Sequence, residues 1–256
     1  FRDYNRVASF FTRGCNAASP TQYGSTVAIG NVVVSPSEFM PRLFAENGRL
    51  LDSQGRITLD TPEALRALEN YRETYSYSDR TIYDFWKNAL EGFADGTAAM
   101  TVVFINYASH ILNSQMSRIA GKLGFAPVPG GKPLLGGGVI GITQSCTCPA
   151  AACKFLEWLY ADLVAPVFTM LGGLSPCRSA YSNRDISEQY PWLSTARKSF
   201  PTAQRRSNST YYQNFSELQL ETILAAHVQQ AVLGVCSPEE ALKQAQEDCN
   251  RYFQPW

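Results

Sequence analysis

Side chains able to do bond-making chemistry are sparse in this chain, and none stands beside the partner its chemistry would need. His110 and His227 are the only histidines. Both fall within helical spacing, away from any Ser or Cys in a nucleophile setting. Acyl transfer requires a nucleophile, its base and a group orienting the base, so both read as structural. Glu38 and Glu217 could serve as a paired acid and base only if the fold happened to bring them together, because no spacing argues for it. Seven cysteines are present: Cys15, Cys146, Cys148, Cys153, Cys177, Cys236 and Cys249. The cluster Cys146-x-Cys148-x4-Cys153, with Cys177 beyond it, could hold a bridge or a metal. Zinc sites usually show two closely spaced ligand pairs, so buried thiols or one disulfide are expected instead. A Cys236–Cys249 bridge is excluded if both lie along one helix. At ~1.5 Å per residue they stand roughly 19 Å apart, against the ~7 Å limit for a disulfide.

Two glycine-rich stretches suit binding better than catalysis. Gly136-x-Gly138-x-x-Gly141 matches the dinucleotide fingerprint as a string, but that motif must open a helix at its glycines. Here Val139, Ile140 and Ile142 interleave and Cys-Thr-Cys-Pro follows, so the stretch reads as a place where bare backbone approaches something closely. Gly172-Gly173-Leu-Ser-Pro-Cys ends on Arg178, a planar fork suited to a hydroxyl pair or a carboxylate, or else a solvated arginine. Tyr211, Tyr212 and Phe215 are core or surface aromatics, or a stacking face for a sugar ring or cation. No catalytic residue, metal ligand or cofactor is expected.

The bulk composition agrees. Lys+Arg and Asp+Glu each total 22, so a broad polyanion-binding surface, and nucleic acid as partner, is not indicated. Charged residues are 17% of the chain, below the usual quarter, while 45% are hydrophobic. This suits extracytoplasmic proteins and supplies a sizeable core. No apolar run approaches the ~20 residues that span a bilayer. Without an initiator Met or a signal sequence, the chain reads as a mature product or an excised piece.

The elements that would position these residues follow from pattern and punctuation. Helices are expected over 1–12 and Ser35–Phe44, then from Thr61-Pro62-Glu63, where an N-cap hydroxyl precedes Pro and an acid. Leu65, Leu68 and Tyr75 form the apolar face of that helix. Phe85, Trp86, Leu90 and Phe93 mark the next. Further helices are expected over Asn106–Ile119, from Pro149, over Val164–Met170 and over Ser216–Leu233, which Gly234 caps. Ser237-Pro238-Glu239-Glu240 opens the last, with Leu242, Ala245, Cys249 and Phe253 inward. Strands are expected at Thr26–Ile29, Ala98–Phe104, Leu123–Pro127 and Val139–Ile142, with an extended pair around the turn in 50–59. Residues 181–215 read as irregular. Many helices and few, short strands define an α/β or α+β chain.

Several segments, taken in order, resemble the extracellular solute-binding proteins of family 1, the maltose-binding-protein-like receptors of ABC importers. They are Asn47-Gly48-x-Leu-Leu-Asp-x-x-Gly55-x-Ile-Thr-Leu-Asp60-Thr-Pro-Glu-Ala; Phe93-Ala-Asp-Gly-Thr-Ala-Ala-Met100; Gly124-Phe125-Ala-Pro-Val-Pro129-Gly-Gly-Lys132 with Gly136-Gly137; and Gly172-Gly173-Leu-Ser-Pro176-Cys-Arg178. The ending Leu233-Gly-Val-Cys-Ser-Pro-Glu-Glu-Ala-Leu242 resembles that family's last two helices.

The resemblance implies an α/β, periplasmic-binding-protein-like (type II) C-terminal lobe, helix-rich with a short central sheet, and most of the N-terminal lobe missing. Residues 1–142 and 191–256 would build the lobe. Residues 143–190 would form a helical segment crossing toward the other lobe, leaving Phe155, Leu156 and Leu159 in need of cover. Position by position, the ligand-facing residues implied are Glu38 and Phe39 before a helix at Pro41, Asn106 and Tyr107 after the Met100 strand, Gly137 and Gly138, Arg178, and Tyr212 or Phe215. Asn106-Tyr107 and Val139 stand where many members carry Trp, which leaves smaller or more polar ligands open beside oligosaccharides. The implied partners are a small solute, carbohydrate first, and ABC permease subunits. The implied location is extracytoplasmic, with membrane contact only through a lipid anchor outside this stretch. A ligand-sensing module of a signalling protein is the alternative, and a glycosidase a third reading.

Overall fold

The computed structural model describes residues 1–256 except 31, 82–84, 183–185, 187–189 and 206–207. The chain opens with α1 (Arg2–Phe10), β1 (Tyr23–Thr26), α2 (Val34–Ala45), α3 (Pro62–Ser76), α4 (Trp86–Ala94) and β2 (Ala98–Thr101). A 3-10 turn over Ile105–Tyr107 leads into α5 (Ala108–Leu112). After a long loop come α6 (Pro149–Leu159), α7 (Val164–Met170), α8 (Ser179–Ser182) and α9 (Pro191–Ser199). The chain closes with α10 (Glu217–Leu233) and α11 (Pro238–Tyr252).

Helix boundaries sit where local chemistry places them. Thr61 Oγ1 accepts a hydrogen bond from the Ala64 N–H at 3.2 Å, with Pro62 in the first turn. Ser216 and Ser237 do the same for Gln219 and Glu240 at the starts of α10 and α11. Each such cap satisfies an N–H that the helix cannot. Gly234 ends α10 in the left-handed region at φ 79, which costs glycine nothing sterically.

β1 and β2 pair in parallel, with Tyr23 opposite Ala98 and Ser25 opposite Met100. A parallel pair needs a long crossover, and α2, α3 and α4 supply it. The main core packs Phe39, Met40 and Leu43 of α2 and Leu68 and Tyr71 of α3 against Leu220, Leu224 and Val228 of α10. The expected inward residues of α11, Leu242, Ala245, Cys249 and Phe253, join this core. Each large side chain buried contributes about 1.5–3 kcal/mol. A second core joins Ala165 of α7, Ala180 and Tyr181 of α8, and Trp192 and Leu193 of α9 with Ala108 of α5.

The extended segments differ most from expectation. β1 lies at Tyr23–Thr26 instead of Thr26–Ile29, and β2 ends at Thr101 instead of Phe104. Leu123–Pro127 and Val139–Ile142 form no strand. The β-branched residues of Val139–Ile142 fit a pleated surface, but among the described residues neither stretch pairs with a strand, and Val139 is fully solvent-exposed. The helix expected over Asn106–Ile119 stops at Leu112, because the chain turns extended at Asn113 (ψ 114). Within the stretch read as irregular, Pro191–Ser199 is helical, and parts of 181–215 lie outside the described residues. The pair around the 50–59 turn is present as an antiparallel bridge between Leu51 and Ile57. All seven cysteines stand as free thiols. Only Cys249 is a buried thiol, because the Cys146–Cys153 cluster lies on an exposed loop and helix start.

Candidate functional site

Phe104, at the end of the extended run after β2, anchors the most suggestive surface. Its ring meets Trp86 edge-on at 5.1 Å, and Trp86 meets Phe85 at 4.9 Å. Phe85 is exposed and the other two rings are half-buried, so the three form an aromatic shelf at the start of α4. Gly136 lies against this shelf: a Cβ built there would sit 3.4 Å from Phe104 Cε1. Gly137 and Gly138 follow with nothing within 4 Å of the position a Cβ would occupy, so their peptide groups face solvent.

The 3-10 turn places Asn106 in solvent and half-buries Tyr107 against Leu90, Phe93 and Ile111. Ile105 packs instead on the second core beside Cys177 and Ala180. The second glycine loop closes on the same region. Gly172 holds φ +98 so tightly against α5 that a Cβ would lie 2.3 Å from Ser109 Oγ. Tyr181 donates its hydroxyl hydrogen bond to the Ser175 carbonyl at 2.8 Å, fixing the loop's far end. Arg178 is exposed, and its carbonyl accepts from the Tyr181 N–H at 3.0 Å. The segment before Gly137 and Gly138 and the loop before Arg178 thus each touch the 104–109 stretch, at Phe104 and at Ser109.

The remaining predicted residues are placed differently. Glu38 and Phe39 lie inside α2 and not ahead of a helix at Pro41, and both are buried. The Glu38 carboxylate is 3.0 Å from Arg42 Nη1. Desolvation raises its pKa despite that partner. Tyr212 is buried, its hydroxyl oxygen accepts from the Ile57 N–H at 2.9 Å, and burial raises its pKa. Half-buried Phe215 stacks on Tyr212 at 6.2 Å and 21°.

Sequence reasoning assigned Phe85 and Trp86 to a helix face and passed over Phe104 as a site residue. The clustering of three aromatics around the Met100 strand and its preceding helix was the available signal. It also passed over Trp158, whose ring lies 5.8 Å from Phe155, three residues away on α6. The whole of α6 buries no residue. Val139, Ile140, Phe155, Trp158, Leu163 and Leu171 are all exposed.

A small cavity and an open groove accompany these features. The cavity, of about 10 Å³, sits beside the sheet at Tyr23 and Ala98. The groove, of about 390 Å³, runs past Asn47, Arg49, Asp52 and Glu63. Its carboxylates are engaged, Asp52 by Arg56 and Glu63 by Arg66. His227 is held by Asp248 at 2.8 Å between α10 and α11.

Residues 15–195 match the family model of bacterial extracellular solute-binding proteins, and the chain belongs to that family. A curated relative is a probable amino-acid ABC transporter periplasmic-binding protein of Sinorhizobium fredii, 20% identical over 182 residues. The match covers 70% of this chain and 42% of that protein. Among solved structures, maltose-bound MalE3 of T. maritima superposes with a TM-score of 0.81 at 20% identity, covering 97% of this chain and 64% of that one. An ABC transporter solute-binding protein from Agrobacterium radiobacter K84 in complex with ribitol gives a TM-score of 0.77 at 20% identity, covering 98% and 64%. The fold is therefore that of the maltose-binding-protein-like receptors. The chain spans under half the length of the curated relative and under two thirds of these solved neighbours.

Proposed function

We propose that this chain forms part of a non-catalytic receptor that captures a small polar solute outside the cytoplasm and delivers it to an ABC importer. The observation carrying this reading is the convergence of the 104–107 turn, the bare glycines 136–138 and the Gly172–Arg178 loop beside an aromatic shelf. Rings cover the apolar face of a sugar or polyol, and peptide groups with a guanidinium fork satisfy its hydroxyls. Ligands named with similar structures are ribitol, D-mannitol, tagatose and maltose, and in one case glycerophosphocholine. They support a polyhydroxylated solute first.

In this reading Asn106, Tyr107, Gly137, Gly138 and Arg178 face the solute. Phe39, Tyr212 and Phe215 lie in or against the main core on which Phe104 also packs, and Glu38 is paired with Arg42. Residues 143–190 cross to a second lobe, which covers the apolar surface of α6 and α7 and closes over the cleft. The test is a thermal-shift screen of sugars, polyols, amino acids and choline phosphodiesters, followed by calorimetry on each hit. Saturable binding of one chemical class, with the solute recovered unchanged, is expected. Conversion of a solute during incubation would overturn the non-catalytic assignment.

A further inference from the structure

The Cys-Thr-Cys step ahead of α6 has no role in the site described above. Cys146 is half-buried and Cys148 exposed, and both are free thiols. The chain bends at Thr147, the single residue between them. Consecutive Cα atoms are ~3.8 Å apart, so residues two apart cannot exceed roughly 7.6 Å, and a bend shortens that toward the ~4.4–6.8 Å a disulfide spans. The backbone on either side is already fixed. The Cys146 N–H donates to the Thr143 carbonyl at 3.1 Å, and the Cys148 carbonyl accepts from the Ala151 and Ala152 N–H groups, each at 3.1 Å, as the first bonds of α6.

The other cysteines are placed less well. Cys153 lies five residues along α6 from Cys148, about 7.5 Å of axial rise on the far side of the helix, beyond bridging reach. The Cys177 thiol instead points to the Tyr160 carbonyl at 3.5 Å, and Cys249 is in the core.

We propose that Cys146 and Cys148 form a reversible intrachain disulfide, closed by a small disulfide oxidant of the glutathione class. One thiolate attacks the oxidant's sulfur and displaces one glutathione thiolate, giving a mixed disulfide. The second thiolate attacks the chain's sulfur in that mixed disulfide and displaces the second glutathione. Two protons leave the chain's thiols, which are oxidised by two electrons as one glutathione disulfide becomes two thiols. A bond that is exposed and closes so small a ring belongs to the labile, regulatory kind and not to the structural staples. Its closure stiffens the link from the Gly136–Gly141 stretch to α6. The inference rests on this loop's geometry and not on the importer reading.

The test equilibrates the chain in glutathione buffers of graded poise, traps free thiols by alkylation and digests with trypsin. The peptide between Lys122 and Lys154 carries Cys146, Cys148 and Cys153. Under oxidising poise it should lose two alkyl groups together and weigh two hydrogens less, with Cys153 still alkylated. Reducing poise should reverse this. Cys146→Ser should abolish the loss and leave a glutathione adduct on Cys148, while Cys153→Ser should leave the couple intact. Three alkylated cysteines at every poise, a bond that includes Cys153, or bridges only between chains would each overturn the proposal.

Discussion

Glu38 and Arg42 lie one turn apart on α2 as an ion pair enclosed by the core, with Arg42 1% and Glu38 6% exposed. Arg42 Nη1 also donates to the Glu38 carbonyl, and its guanidinium stacks between the Phe1 ring at 4.6 Å and the Tyr71 ring at 4.7 Å. Removing one partner strands the other charge in the core. Arg42→Leu is therefore expected to cost about 3–5 kcal/mol in denaturant unfolding, and Glu38→Met with Arg42→Met to recover most of it.

The same pair sets a pH dependence. Glu38 has its folded pKa raised above the ordinary 4.5 by burial. Its contribution to stability is therefore fully present below pH 4.5 and is lost as pH rises through the folded value, because the unfolded chain releases the proton first. Glu38→Gln lacks that loss. The stability difference between Glu38→Gln and the parent should shift in the variant's favour from pH 4 toward neutrality, as urea unfolding across that range would show.

Tyr212→Phe keeps the stacked ring but removes the acceptor for the Ile57 N–H. A buried donor left unsatisfied costs about 1–3 kcal/mol. Thermal unfolding should register that loss, while calorimetric solute affinity stays unchanged, as befits a residue of the main core.

Arg178 and Tyr107 should divide the other way. Arg178→Ala at an exposed position is expected to change stability by less than ~0.5 kcal/mol. It should weaken solute binding by about 1.5–3 kcal/mol, roughly tenfold or more. Tyr107→Ala should lose affinity similarly, with a larger drop in melting temperature because its ring packs on Leu90 and Phe93. Calorimetry with the solute found by screening, beside a melting curve for each variant, separates the two effects.

Gly172→Ala tests how the second glycine loop meets α5. The residue holds φ +98 and its Cβ would enter Ser109, so a loss of more than ~1 kcal/mol is expected. Ser109→Gly in the same chain should restore the steric part and leave the backbone part.

Helices were the most legible elements because their ends carry local chemistry. Thr61 before Pro62, Ser237 before Pro238 and Gly234 after Leu233 each satisfy an end of their own helix, whatever the rest of the fold does. Strands were less legible. Val139–Ile142 has a strand's residue types but pairs with no strand among the described residues, and pairing is a tertiary fact. The fold family was readable from motif order, since Asn47–Ala64, Phe93–Met100 and Gly172–Arg178 recur as connections between elements. The family-level motifs led to the glycines and Arg178 but not to Phe104, whose place depends on the meeting of a strand end, a helix start and a glycine loop. Exposure on α6 was foreseen for Phe155 alone of its aromatics. Trp158 shares that face through three-residue spacing.

The central claim is that the surface around Phe104, Gly136–Gly138 and Arg178 holds a solute. Its most direct test is titration calorimetry on the chain as its gene encodes it, with the leading thermal-shift hit, against the same chain carrying Phe104→Ala and Arg178→Ala together. At 100 times its dissociation constant the solute should stabilise the parent by ~2.7 kcal/mol. The account predicts saturable binding to the parent, a loss of at least ~100-fold in the double variant, and an unaltered solute afterwards. Equal affinity in parent and variant would contradict it.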